Sequence, residues 1–254
     1  MMVYGTAIFL MEFISGDKSM ARSRISFSLF FLGLTNLMFG WAHHTYFVPM
    51  SPWIRYLAYA VSMTEWVILA RIIWYWKKNL DDGKKFKSLL SYKFLVAADH
   101  WILFNLFLAL LISIPAINLY THGTHITVAH AMGSTIGINS MLLLASAAFL
   151  IQNASGKLSG SASRSVKNGL RWANFFLFTF LICLTLAGIT KGWYTIESDL
   201  SFNTIMGKIE IYLLGFVFSG IGLAVALLMI IIPLLKQLMS ASDPEQEIIA
   251  HEME

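Results

Sequence analysis

A single cysteine and a scarcity of charge define what this chain is not. Cys183 lies inside an apolar run, and with no second cysteine in the sequence an intrachain disulfide and a disulfide scaffold are both excluded; the lone thiol says nothing about compartment. Charged residues make up 13% of the chain, about half the roughly 25% of an ordinary soluble domain. Hydrophobic residues make up 57%, against roughly 45–50% in soluble domains. With a mean hydropathy of +0.67, this balance excludes intrinsic disorder and fits a nucleic-acid-binding domain poorly. It describes a chain dissolved in lipid. The formal charge of +4 and pI of 9.1 therefore do not identify a polyanion partner, because in a membrane protein the position of the positive charges carries the information. No internal repeat is present.

Crossing a hydrocarbon core takes roughly 20 apolar residues. Six runs bounded by charge meet that length, at about Ile25–Val48, Trp53–Trp76, Phe94–Ile117, His125–Ile151, Leu170–Thr190 and Thr204–Leu235. All are expected to be helices, since lipid offers no partner to an unsatisfied backbone. A seventh apolar stretch, Met1 to about Ser15, precedes the charged segment Gly16–Arg24. At helical rise it reaches only about 22 Å, short of the roughly 30 Å core. It lacks the basic start of a signal peptide and is not read as a cleaved leader, but as a helix whose beginning is missing. The expected fold is thus all-α: a polytopic membrane bundle over residues 1–239, with six full transmembrane helices plus a short N-terminal seventh. A solvated acidic tail occupies residues 240–254.

Lysine and arginine set the orientation. Lys18, Arg22, Arg24, Arg71, Lys77, Lys78, Lys84, Lys85, Lys87, Lys93, Lys157, Arg164, Lys167, Arg171 and Lys236 fall on one side, fifteen of the 18 basic residues. Arg55, Lys191 and Lys208 fall on the other. This alternation places the rich loops and the C-terminus in the cytoplasm, as expected for a multi-pass protein of the cell inner (cytoplasmic) membrane. Aromatic residues agree, with Trp41, Tyr46, Trp53, Tyr56, Trp193 and Tyr194 at the outer boundary and Trp74, Tyr75 and Trp76 at the inner one. Ser155–Arg164, rich in Ser and Gly, reads as a flexible inner loop.

Ionisable residues inside a membrane are expensive and are functional candidates by default. His43 and His44 lie about five residues from the outer end of their run, and His130 lies about five residues from the outer end of its own. The three imidazoles therefore share one depth, roughly 7 Å inside the outer boundary. Glu65 lies deeper, near the midplane. Imidazoles at one depth on different helices suit a metal or haem site in a bundle. The plainer readings stand beside this one: a lone interfacial His is commonly just hydrogen-bonded, and Glu65 can serve packing between helices. Asp99 and His100 read as a local structural contact, and His122 and His125 as solvated residues in or beside an outer loop.

The segment Gly40-Trp41-Ala42-His43-His44-Thr45-Tyr46-Phe47 resembles the metal-binding His-His segment of haem-copper oxidases, and in particular of the nitric oxide reductase large subunit. Tyr120-Thr121-His122-Gly123-Thr124-His125-Ile126-Thr127-Val128-Ala129-His130 is similar to the reductase signature that leads into the haem-ligand helix. Glu65, in Ser62-Met63-Thr64-Glu65, matches the acidic residue near the binuclear centre. The resemblance covers essentially the whole chain and is to the C-terminal half of that subunit. It implies that His43 and His44 ligate a non-haem metal, iron or copper, and that His130 is the proximal ligand of a high-spin haem b. It further implies that Glu65 supplies protons or charge beside them. The reaction implied is reduction of NO, or of O₂, with electrons from a cytochrome c-type or quinol donor. Glu65 in the Trp53–Trp76 run, and the absence of the oxidase branch's Tyr one turn from the metal-binding His, favour the reductase branch.

Two departures accompany the resemblance. Where the family has a second His two residues after the proximal one, as ligand of the low-spin haem, this chain has Met132. Met132 can serve as an axial ligand, although an altered or lost low-spin site is the simpler reading. The helix before His43, which in the family carries a further metal-binding His, here offers Tyr4 and Glu12. Three explanations follow: a split subunit completed by another membrane subunit that supplies the missing helices and ligands, an accessory paralogue without catalysis, or a truncated or mis-started product. Other classes fit less well. A retinal protein needs an interior Lys in its last helix, where only Lys208 near the outer boundary is present, and a transporter would show broken helices or inverted repeats. A purely structural membrane protein gives no reason for His43, His44, Glu65 and His130 to occur in register.

Overall fold

The computed structural model describes residues 51–60, 89–156 and 158–241, together with residues 9, 10, 12, 13, 24, 49 and 74. His43, His44, Glu65, most of the first two apolar runs and nearly all of the acidic tail lie outside the described residues. Five helices follow one another in the continuous part. They are α1 (Leu90–Ser113), α2 (Pro115–Thr121), α3 (His125–Ser155), α4 (Gly160–Glu197) and α5 (Phe202–Ala241). Among the described residues there is no strand.

Four of these helices, all but α2, are long and apolar enough to cross a membrane. Their outward faces carry bare apolar side chains that water would not tolerate in such number, including Leu143, Ile211 and Phe218, each about 70% exposed. Lipid is the solvent these faces suit. α5 is the most lipid-like, with only 22% of its most apolar stretch buried against the protein. Residues 52–60 are also helical, as expected for the start of the second run, and Trp53 and Tyr56 there are exposed, as an interfacial belt requires. From the N-terminal apolar stretch, Leu10 is buried, and the ring of Phe13 meets Phe149 of α3 edge-on at 4.8 Å.

The boundaries differ from the sequence reading in ways that local chemistry explains. The run expected as one helix from Phe94 to Ile117 starts earlier, at Leu90, and is interrupted at Ile114. Pro115 crowds the residue before it out of the helical region, and Ile114 accordingly adopts φ −72° and ψ 121°. Pro115 then opens α2, where its missing N–H costs nothing. Ser155–Arg164 is not a flexible loop over its whole length. Ser155 ends α3, Gly156 turns the chain at φ +74°, and the Ser159 hydroxyl accepts from the Ala162 N–H to cap α4. The last two helices also run past the expected Leu170–Thr190 and Thr204–Leu235 at both ends.

Small residues let the helices approach. On α4, a Cβ at Gly188 would lie 2.5 Å from the Ile126 nitrogen of α3, and one at Gly192 would run into the Tyr120 carbonyl of α2. This Gly188-x-x-x-Gly192 spacing puts both glycines on one helix face, a common device where helices pack without a hydrophobic drive between them. α4 and α5 form the most extensive pair. Ser165 Oγ donates to the Met229 carbonyl at 3.0 Å, and the rings of Phe180 and Phe216 lie 4.5 Å apart. The core they share with α1 and α3 includes Phe94, Leu95, Met141, Leu177 and Ile230, all essentially inaccessible.

Candidate functional site

α3 carries the one described residue among the four expected to hold or serve the metals. It begins at His125, as the sequence indicated, because Thr124 is a good cap: its hydroxyl accepts from the Ile126 N–H at 3.3 Å and donates to the Thr121 carbonyl at 2.7 Å. Gly123, at φ +69°, turns the chain into that cap. His125 is half-buried, with an Nδ1 that is enclosed and meets no hydrogen-bond partner among the described residues. His130 follows about 7.5 Å further along the axis, also half-buried and with its Nδ1 enclosed.

Directly after His130 the winding changes. The Gly133 N–H is shared between the carbonyls of Ala129 and His130, a tight turn, and residues Gly133–Ser140 then form a π-helical segment before α-helix resumes at Met141. The sequence GSTIGINS suits that strain. Thr135 Oγ1 donates to the Ala131 carbonyl at 2.9 Å, and Ser140 Oγ donates to the Thr135 carbonyl at 3.0 Å, so hydroxyls serve carbonyls that regular α-winding would otherwise satisfy. Wide segments of this kind are frequent at functional sites. They fix the backbone beside a residue in a way that a uniform helix does not.

α1 holds this segment in place. Asn105 Nδ2 donates to Ser134 Oγ at 2.6 Å, and a Cβ at Gly133 would stand 2.6 Å from Asn105 Oδ1. A turn further on, a Cβ at Gly137 would be 2.8 Å from Trp101 Cγ. Trp101 in turn gives its indole N–H to Asn174 Oδ1 of α4 at 2.6 Å, and Asn174 Nδ2 donates to the Leu170 carbonyl at 2.7 Å. Three helices are thus tied together across the half of α3 that follows His130. Asn105, Ser134, Trp101 and Asn174 did not stand out in the sequence, although polar residues within apolar runs are the usual signal for such bridges.

The remaining candidates are placed as follows. Met132 is half-buried and packs against the hydrophobic core. His100 is exposed, and its Nδ1 lies 2.7 Å from the Val96 carbonyl one turn back, the local contact expected of it; Asp99 beside it is buried. His122 is exposed, in the turn between α2 and α3. At the same end, Tyr120 donates its hydroxyl to Glu197 Oε1 at 2.6 Å and stacks on Trp193. That bond to a carboxylate raises the Tyr120 phenol above its ordinary pKa, with desolvation and the Glu197 charge adding to the effect. Among the described residues no three His, Cys, Asp or Glu side chains converge to hold a metal ion.

A comparison with protein families matches residues 1–221 to the model described as cytochrome c and quinol oxidase polypeptide I. No curated protein matches the chain. The matched range contains His43, His44, Glu65, His130 and Met132, and it runs through four of the five helices into α5. With most of its length matched and an all-helical membrane architecture, the chain belongs to the cytochrome c and quinol oxidase polypeptide I family, the haem-copper oxidase subunit I superfamily.

Proposed function

We propose that this chain is a membrane redox subunit of the nitric oxide reductase kind, in which His130 is the proximal ligand of a high-spin haem b and His43 and His44 hold a non-haem iron or copper. The observation that carries the reading is the position of His130: one turn and a half inside a capped helix, with an enclosed ring nitrogen, immediately before a π-helical segment anchored to α1. The residues present suit an axial haem ligand, since an imidazole nitrogen on a fixed backbone in an apolar bundle is the donor such a group takes. A haem beside a second metal supplies a place where two NO, or one O₂, are held while electrons arrive singly.

The chain's own part is to hold and orient. The shared Gly133 N–H and the Asn105–Ser134 bond set the His130 backbone, and the exposed apolar flanks keep the bundle in lipid. Glu65, by the resemblance, holds a proton or charge near His43 and His44. Catalysis is completed by a partner membrane subunit that brings the remaining helices and ligands, with a cytochrome c-type or quinol donor of electrons. The basic loops and the C-terminus face the cytoplasm.

A second reading, a non-catalytic accessory subunit of the same family, is favoured by Met132, which stands where the family has a second haem-binding His and is packed into the core. Purification in mild detergent with co-purifying polypeptides, followed by a reduced-minus-oxidised spectrum and metal analysis, separates the two. Haem together with iron or copper is expected. Neither, with partners present, overturns the redox reading in favour of the accessory one. A neighbouring gene for five or six helices with the missing His residues indicates a split subunit, and a complete catalytic subunit beside it indicates a paralogue.

A further inference from the structure

α1 and α4 leave an open groove between them of about 890 Å³, away from His130. Its two walls run in the same direction. Lys93 of α1 lies within electrostatic reach of Lys167 and Arg171 of α4, Trp101 is bonded to Asn174, and the rings of Phe104 and Phe178 meet at 6.0 Å. One end is therefore cationic and the other aromatic. No described carboxylate is among the groups that act electrostatically on Lys93.

The dimensions select among occupants. From Lys93 to Phe104 the helical rise is about 16 Å, close to the depth of one leaflet of a hydrocarbon core roughly 30 Å thick. A transmembrane helix of another subunit would need an apolar seam through both leaflets, and a soluble anion would have no use for the aromatic end. The indole N–H of Trp101 is spent on Asn174, which leaves its ring as an apolar floor. All three cations belong to the side on which fifteen of the 18 basic residues lie, the side where anionic lipids attract clustered lysine and arginine.

We infer that this groove binds one anionic phospholipid, its phosphate at Lys93, Lys167 and Arg171 and an acyl chain along Trp101, Phe104 and Phe178. The test uses the full chain with whatever subunits co-purify, washed in detergent and offered phosphatidylglycerol, phosphatidylcholine or inorganic phosphate, with retained lipid counted by native mass spectrometry. Wild type should keep phosphatidylglycerol in preference to phosphatidylcholine, and inorganic phosphate should not displace it. The triple variant Lys93→Gln, Lys167→Gln, Arg171→Gln should weaken retention about a hundredfold, or roughly fivefold per cation removed.

Phe104→Ala keeps the charges and should weaken retention while leaving the preference for the anionic headgroup. If the triple variant loses helicity, the single reversal Arg171→Glu, at an exposed position, carries the same expectation. Equal retention of phosphatidylglycerol by wild type and a folded charge variant overturns the inference. Displacement by inorganic phosphate, or equal retention of phosphatidylcholine, overturns it as well.

Discussion

Asn105 on α1 donates to Ser134 on α3 at 2.6 Å, four residues beyond His130, while its Oδ1 would touch any side chain placed at Gly133. One amide thus both holds the wide segment and sets how close two transmembrane helices come. Polar bonds between membrane helices are worth on the order of 0.6 to 2 kcal/mol, so the close packing around the amide contributes to stability alongside the bond.

Gly137→Ala tests that packing. The new methyl would stand within 3 Å of the Trp101 ring carbon and Cβ, and Trp101 cannot swing away without losing its 2.6 Å bond to Asn174. A loss of about 1 to 3 kcal/mol is expected, read as a lower thermal midpoint in detergent with the helical content at low temperature preserved. An unchanged midpoint would show that α1 and α3 are further apart than described.

Thr124→Ala removes the cap of α3. Its hydroxyl serves both the Ile126 N–H and the Thr121 carbonyl, and replacing such a cap costs about 1 kcal/mol. The consequence to measure is local: amide hydrogen exchange over the first turns of α3 should rise, with that of α5 unaffected.

Tyr120 and Glu197 give a pH dependence. Because the folded phenol is held above its ordinary pKa, their bond contributes its full stabilisation at neutral pH, and loses it as pH rises through the folded value in the alkaline range. Phenolate absorbance should show one tyrosine titrating late, and Glu197→Gln should bring it back toward the ordinary value. No difference between the two proteins would remove the carboxylate as the cause.

His130→Ala and His43→Ala separate the two sites of the proposed function. The first should abolish haem retention, whereas the second should keep the haem spectrum and lose the second metal. Haem retained in the His130→Ala protein, with its helicity intact, would end the ligand assignment.

Much of the architecture was legible because membrane helices announce themselves by length and apolarity alone. His125 as the start of α3 was legible too, since the chain turns at Gly123 and caps at Thr124 directly before it. Other features were hidden for physical reasons. Pro115 lies within an unbroken apolar run, so hydropathy passes over a break that backbone sterics enforce. Ser155–Arg164 has the composition of a linker, yet Ser159 uses its hydroxyl as a cap, and a window average does not see a single hydrogen bond. At the candidate site, His130 and Met132 are proposed from the motif, but the partners that fix the helix around them, Asn105, Ser134 and Trp101, depend on which helix faces which. His43, His44 and Glu65 lie outside the described residues and stand on the sequence resemblance alone.

The π-helical segment of α3 also keeps a row of buried residues in phase. Ala129, Gly133, Gly137, Met141 and Ala145 recur every four residues and are all buried. In a uniform α-helix each such step overshoots a full turn by about 40°, so the row would spiral off the contact surface within a few turns. Where the bonding widens to five residues, each step undershoots instead, and the two errors offset each other. α3 can therefore lie along the bundle as one straight seam for most of its length without supercoiling. Restoring regular winding between Gly133 and Ser140 would turn His130 relative to everything packed below it, which makes this stretch the angular reference for the site.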